Sequence, residues 1–173
     1  MPRANTHEVE LRVVMREEQE KILLKKLEKA DFRGEEEISD IYFCPKHFAS
    51  LEELEMQEVG SYSLRLRRSK KEDKEEKTLN VKIITAEGDH HAWEERETTI
   101  GSISKMQQAL EAIGFKEVFR IEKKRRTYCL DGMNILLEEI KDFGPALEIE
   151  ILTTEDKREE AKEKILAFLN SVG

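Results

Sequence analysis

Cysteine is scarce in this chain of 173 residues: Cys44 and Cys129 lie far apart, and no C-x-x-C pair occurs. They read as two free thiols in a reducing cytosol. No apolar stretch approaches the roughly 20 residues that cross a bilayer. The first residues lack the apolar run of a secretory leader. A soluble, cytoplasmic protein with no membrane partner is expected. Positive charge is in deficit, with 30 Lys+Arg against 38 Asp+Glu and a formal charge of -8. That argues against nucleic acid as the main partner, because such surfaces are usually net basic. An anionic small ligand stays compatible, since local fields matter more than the sum. No repeat of fixed period and no domain linker is visible, so residues 1–173 read as one domain, long enough for a real core.

What the chain does have is charge, at 39% of residues, arranged with a period of two. Glu8-Val9-Glu10-Leu11-Arg12-Val13-Val14 and Ala146-Leu147-Glu148-Ile149-Glu150-Ile151 alternate charged and apolar side chains. Successive side chains of a strand point to opposite faces. Glu8, Glu10 and Arg12 therefore share one face, and Val9, Leu11 and Val13 the other. The same rule puts Ser63, Arg65 and Arg67 opposite Tyr62, Leu64 and Leu66, and sets Asn80 and Lys82 against Leu79, Val81 and Ile83. Lys123 and Arg125 share a parity, as do Leu136 and Glu138. An ordinary antiparallel sheet with its polar face in water explains any one of these strands. Together they repeat Glu-x-Glu and Arg-x-Arg, where a solvated face would mix in Thr, Ser and Gln.

A face carrying both signs suits a polyphosphate. Lys and Arg neutralise phosphate oxygens, with Arg making forked contacts. Carboxylates repel phosphate but hold Mg²⁺ or Mn²⁺, hard cations that bridge to phosphate oxygens.

Three helices are expected at about 16–30, 103–113 and 155–171. The first carries Leu23, Leu27 and Ala30 at helical spacing, with Gly34 beyond its end. The second has Ile103, Met106, Leu110 and Ile113 on one stripe, a capping box from Ser104 and Gln107, and Gly114 as its stop. The third sets Ala161, Ile165, Phe168 and Val172 on one face, with Glu155 and Asp156 in its first turn. Strand-like runs fall at about 7–14, 38–43, 61–68, 78–85, 93–99, 117–124, 126–130, 133–140 and 146–152. The charge block 69–77 reads as a solvated hairpin loop. Many short strands with few helices predict an α+β fold built on an antiparallel barrel.

Six segments stand in order over about residues 7–152: Glu8-Val9-Glu10-Leu11-Arg12, Asp40-Ile41-Tyr42-Phe43, Leu64-Arg65-Leu66-Arg67, Leu79-Asn80-Val81-Lys82, Lys123-Lys124-Arg125-Arg126-Thr127-Tyr128, and a closing set of Glu138, Gly144, Glu148 and Glu150. In this order they resemble the CYTH superfamily of class IV adenylate cyclases and thiamine triphosphatases. The resemblance implies a closed eight-stranded antiparallel β-barrel, the triphosphate tunnel, with helices packed outside. It implies that Glu8, Glu10, Glu138, Glu148 and Glu150 ligate one or two Mg²⁺ (or Mn²⁺) ions. Arg12, Arg65, Arg67, Lys82, Lys123 and Arg125 would grip the triphosphate, and the catalytic roles would fall to Glu8, Glu10, Arg12 and Lys82.

Residues 102–128 look most similar to the class IV adenylate cyclase branch, which converts ATP to cyclic AMP and pyrophosphate and implies a homodimer. Two other readings stand beside the cyclase. One is a triphosphatase acting on thiamine triphosphate, tripolyphosphate or a nucleoside triphosphate. The other is a non-catalytic nucleotide or polyphosphate binder. The chain departs from the family pattern in four places. Arg12 replaces a Lys, Glu138 replaces an Asp, Lys82 lacks a following Gly-Pro, and the R-x-E-x-E strand is only loosely present as Glu94-Glu95-Arg96-Glu97. His90-His91 reads as a solvated loop, and Cys44-Pro45-Lys46-His47 as a turn.

Overall fold

A computed structural model describes residues 7–48, 59–84 and 93–173. The chain runs β1 (His7–Val14), α1 (Glu17–Leu27), β2 (Asp31–Pro45), β3 (Tyr62–Lys71), β4 (Lys74–Ile84), β5 (Trp93–Thr99), α2 (Ile103–Ala112), β6 (Phe115–Leu130), β7 (Met133–Ile140), β8 (Gly144–Thr153), a 3₁₀ turn (Glu155–Lys157) and α3 (Arg158–Asn170). The eight strands form one sheet in the order β1-β8-β7-β6-β2-β3-β4-β5. The α+β class stands, and among the described residues no strand pairing closes the expected barrel. The order has two ends, and among the described residues β1 pairs only with β8 and β5 only with β4. The two end strands are both acidic, β1 with Glu8 and Glu10 and β5 with Glu94, Glu95 and Glu97.

Several local expectations change: β2 is longer than expected, and α3 begins at Arg158, so its first-turn acids are Glu159 and Glu160 and not Glu155 and Asp156. Residues 117–124 and 126–130 are one continuous strand, β6. The charge block is mostly strand: β3 and β4 run to Lys71 and Lys74, and only Glu72 and Asp73 turn between them. Across the ladder Lys70 lies opposite Glu75 but Lys71 lies opposite Lys74, and Glu75 pairs along its own strand with Lys77 at 2.8 Å. The cap of α2 is Ser102, whose hydroxyl accepts from the Lys105 amide at 3.3 Å. Gln107, expected in a capping box, donates instead to Glu111 and Glu117.

The chain divides into two compact units, residues 1–36 with 123–173, and residues 37–122. In the first unit, the apolar parity of three strands supplies Val9, Ile135, Leu137, Leu147 and Ile149. Helix α1 covers these with Leu23 and Leu27, and α3 with Ala161 and Ile165. Ile149 is fully buried at the centre of β8. Truncating Ile149→Ala is expected to cost ~2–5 kcal/mol, measured as a lowered urea midpoint with unchanged m-value. The second unit packs Ile41, Phe43, Leu64 and Leu66 against Leu110 of α2, with Ile103 and Met106 beside it. Burying the apolar parity in each unit commits the charged parity to the opposite face.

One turn matters for that face. Asp131 and Gly132, both with positive φ (50° and 77°), join β6 to β7. Two central residues of positive φ make a tight hairpin that matches strand twist. The turn fixes the β6–β7 register, so Arg125 lies opposite Glu138.

Candidate functional site

In the first unit, the β1–β8 register sets Glu10 opposite Glu150 and Arg12 opposite Glu148. Glu8 stands one step further along the charged parity of β1. Carboxylate oxygens of Glu8, Glu10 and Glu150 all lie within 4.8 Å of one another. Crowding shows in their electrostatics. Burial, with the neighbouring charges of Glu8 and Glu148, pushes the Glu150 carboxyl up to about 8. Three hard oxygen donors in so small a space fit a Mg²⁺ or Mn²⁺ ion, which would relieve the repulsion that raises Glu150.

The other two carboxylates face cations. Burial alone would raise the Glu148 carboxyl. Arg12, Arg125 and Lys123 overcome that and hold it at about 2. Arg12 donates through Nε at 3.1 Å and through Nη2 to one Glu148 oxygen, and Arg125 stands 3.5 Å from the same atom. Glu138 is 1% exposed. Its Oε1 accepts from Lys123 at 2.5 Å and from Nε and Nη2 of Arg125 at 2.8 and 2.6 Å. Lys123 is itself buried, and its pKa is lowered first by that burial and then by the Arg125 charge. Arg12 differs: its side chain is 52% exposed and reaches toward solvent. Arg126 projects to the opposite side of β6 and pairs with Glu20 of α1 at 3.6 Å.

The structure therefore gathers Glu8, Glu10 and Glu150 as a carboxylate trio. It places Glu138 and Glu148 among Arg12, Lys123 and Arg125. Within this unit the charged face has an acidic pole and a basic one. In the metal-free protein the two shifted carboxyls act at opposite ends of the pH scale. The lowered Glu148 pKa contributes stability that is complete above its ordinary value of 4.5 and is lost as pH falls toward about 2. The raised Glu150 pKa does the reverse: its contribution is complete below 4.5 and is lost as pH rises through about 8. Thermal melts in chelator should fall between pH 5 and pH 9, and Glu150→Gln should flatten that limb. An unchanged limb in the variant would contradict the assignment.

The second unit has its own charged face. Asp40, 1% exposed, accepts a forked pair of bonds from Arg67 at 2.7 and 2.8 Å. Arg65 lies 3.9 Å from Asp40 and 3.8 Å from Glu95, and donates to the Tyr42 hydroxyl at 3.4 Å. Its Nε is buried with no hydrogen-bond partner among the described residues. Lys82 stands 3.6 Å from Glu95. The buried Asn80 donates to Glu95 and Glu97, and Thr78 donates to Glu97 at 3.2 Å. Tyr42 stacks on Phe119 with ring centroids 4.5 Å apart.

Arg65, Arg67 and Lys82 thus share one face, as their parity predicts. Sequence reasoning gave no role to Asp40, Thr78, Asn80, Glu95 or Glu97. The signal for the last two was their own alternation. Pairing decides its meaning, since Glu95 lies opposite Lys82 and Glu97 opposite Asn80. Cys44 is buried at the end of β2, and Cys129 is partly buried on β6. His90-His91 lies outside the described residues. Among the described residues no helix is long and apolar enough to cross a membrane.

No curated protein matches the chain. Solved structures do. The PH1819 protein of Pyrococcus horikoshii OT3 is 28% identical with a TM-score of 0.78, over 96% of this chain and 90% of its own. A "putative adenylate cyclase" of Vibrio parahaemolyticus is 22% identical with a TM-score of 0.68, over 96% and 88%. Another of that name from Bacillus halodurans is 19% identical with a TM-score of 0.62, over 95% and 90%. At such identities the last two share the fold. The CYTH domain model matches residues 6–173, nearly the whole length. With its ordered motifs and its charge-faced antiparallel sheet, the chain belongs to the CYTH domain family.

Proposed function

We propose that this protein is a divalent-cation-dependent enzyme acting on a triphosphate, with class IV adenylate cyclase chemistry: ATP to cyclic AMP and pyrophosphate. The observation that carries the reading is one charged face of the paired strands β1 and β8, on which the Glu8–Glu10–Glu150 trio lies beside Glu148 with its cations. Family membership supports it, since CYTH proteins act on triphosphates and generally use divalent metals. The cyclase choice draws on the likeness of residues 102–128 and on the names of two structural relatives.

Glu8, Glu10 and Glu150 would hold Mg²⁺ or Mn²⁺, which when bound supplies charge neutralisation at the phosphate oxygens and the leaving group. Arg12, half exposed, would contact a phosphate from the solvent side. Arg125 and Lys123 lie deeper and would fix the phosphate chain by forked and single contacts. Within the second unit, Arg65, Arg67 and Lys82 are by the family resemblance anion-binding residues, and Glu95 and Asn80 hold their neighbourhood in place. Catalysis on this account is positioning and charge stabilisation, as is usual in phosphoryl and nucleotidyl transfer.

Phosphorus NMR after incubation with ATP and Mg²⁺ or Mn²⁺ tests it, with tripolyphosphate and thiamine triphosphate run in parallel. Cyclic AMP with pyrophosphate is the expected product pair. Orthophosphate with a diphosphate would replace the cyclase by a triphosphatase using the same residues. Tight binding without turnover would leave a binding module.

A further inference from the structure

We propose that Glu138 is a positioning residue that holds Lys123 and Arg125 for an anionic ligand, and that it is not a ligand of the divalent cation. The inference rests on the triphosphate reading above, but its first arm is independent of turnover.

Glu138 sits on β7 with Arg125 directly across the ladder on β6 and Ala146 across on β8. All three hydrogen bonds to it converge on one oxygen, Oε1, from the Lys123 ammonium and two nitrogens of Arg125. Such a shared acceptor sets two cations side by side that would otherwise repel, and leaves part of each free to point elsewhere. Arg125 still has Nη1 uncommitted to Glu138, and its Nη2 also approaches Glu148 at 3.5 Å. The other oxygen, Oε2, is buried and has no hydrogen-bond partner among the described residues. An orphaned carboxylate oxygen invites a cation, yet one placed there would stand against both Lys123 and Arg125. Their charges already balance Glu138 on its sister oxygen. The carboxylates that crowd together are those of the trio, and Glu138 is not among those that approach within 4.8 Å of one another. The charges therefore sort by function, with the metal at one pole and the phosphate grip at the other.

Glu138→Gln separates the roles. Binding of Mn²⁺ to the substrate-free full chain, read by electron paramagnetic resonance, should stay within about twofold of the parent. Glu10→Gln and Glu150→Gln should each weaken it about tenfold or more. Tripolyphosphate binding in chelator should weaken about tenfold or more in Glu138→Gln. With Oε1 no longer anionic, the buried Lys123 ammonium loses its counter-charge and Arg125 its anchor. In the turnover assay kcat should fall while the half-saturating Mn²⁺ concentration holds, a split that general loss of structure does not produce. Loss of Mn²⁺ affinity in Glu138→Gln equal to that in Glu150→Gln would overturn the proposal, as would unchanged tripolyphosphate binding.

Should the variant fail to fold, anomalous diffraction from Mn²⁺-soaked crystals of the parent protein decides. The proposal expects a peak at Glu8, Glu10 and Glu150, and it fails if Glu138 ligates an ion. If no substrate turns over at all, the function above fails, while the Mn²⁺ and tripolyphosphate results still stand on their own.

Discussion

Glu150→Gln should lower turnover of a metal–triphosphate by about 10²-fold or more, and at the same time make the metal-free protein more stable at alkaline pH. Both effects come from one carboxylate. Glu150 belongs to a trio whose oxygens lie within 4.8 Å, and burial with the neighbouring charges of Glu8 and Glu148 pushes its carboxyl up to about 8. Above that pH the folded protein carries a crowded charge that the unfolded chain does not feel. Replacing it by neutral Gln removes the crowding and removes a ligand. Melting curves in chelator should therefore rise in the variant at pH 9 and hardly move at pH 4, where Glu150 is protonated in either state. Steady-state turnover at saturating Mg²⁺ should fall in the same preparation. A variant that keeps full turnover has lost no metal ligand, and one that melts lower at pH 9 was never relieved of repulsion.

The second large effect belongs to the other unit. Arg67→Ala should destabilise the fold by ~3–5 kcal/mol, because it strips the forked partner from Asp40, a carboxylate that is 1% exposed. Desolvated charge is costly when one partner is deleted. It is far less costly when both are replaced by apolar side chains of similar volume. The double change Asp40→Leu with Arg67→Met should recover most of the loss in urea denaturation while still abolishing the anion contact assigned to Arg67. If Arg67→Ala unfolds at the parent's urea midpoint, Asp40 is solvated or otherwise compensated and the account of this face is wrong.

The charged parity of β1 and β8 was plain in the sequence because alternation is a local property. Glu8-x-Glu10 and Glu148-x-Glu150 had to share a face once Val9, Leu147 and Ile149 were buried. Which carboxylates meet one another is not local. Glu10 meets Glu150 through the β1–β8 register, and Glu138 meets Arg125 through the register that the Asp131-Gly132 turn imposes. A one-residue slip would have exchanged those partners. Asp40 stayed without a role for the same reason, since its partner Arg67 lies 27 positions away on the next strand. Helix existence followed from periodicity, whereas the α2 cap fell two residues before the expected Ser104, since two serines stood within reach.

The most direct test of the central claim is triphosphate turnover as a function of free Mn²⁺, started from metal-free protein in chelator with ATP and with tripolyphosphate. The account predicts no turnover in chelator, full recovery on adding Mn²⁺, and a half-saturation point that moves about tenfold or more upward in Glu10→Gln. Turnover that persists in chelator, or that recovers at the same Mn²⁺ concentration in Glu10→Gln, would contradict a metal held by Glu8, Glu10 and Glu150.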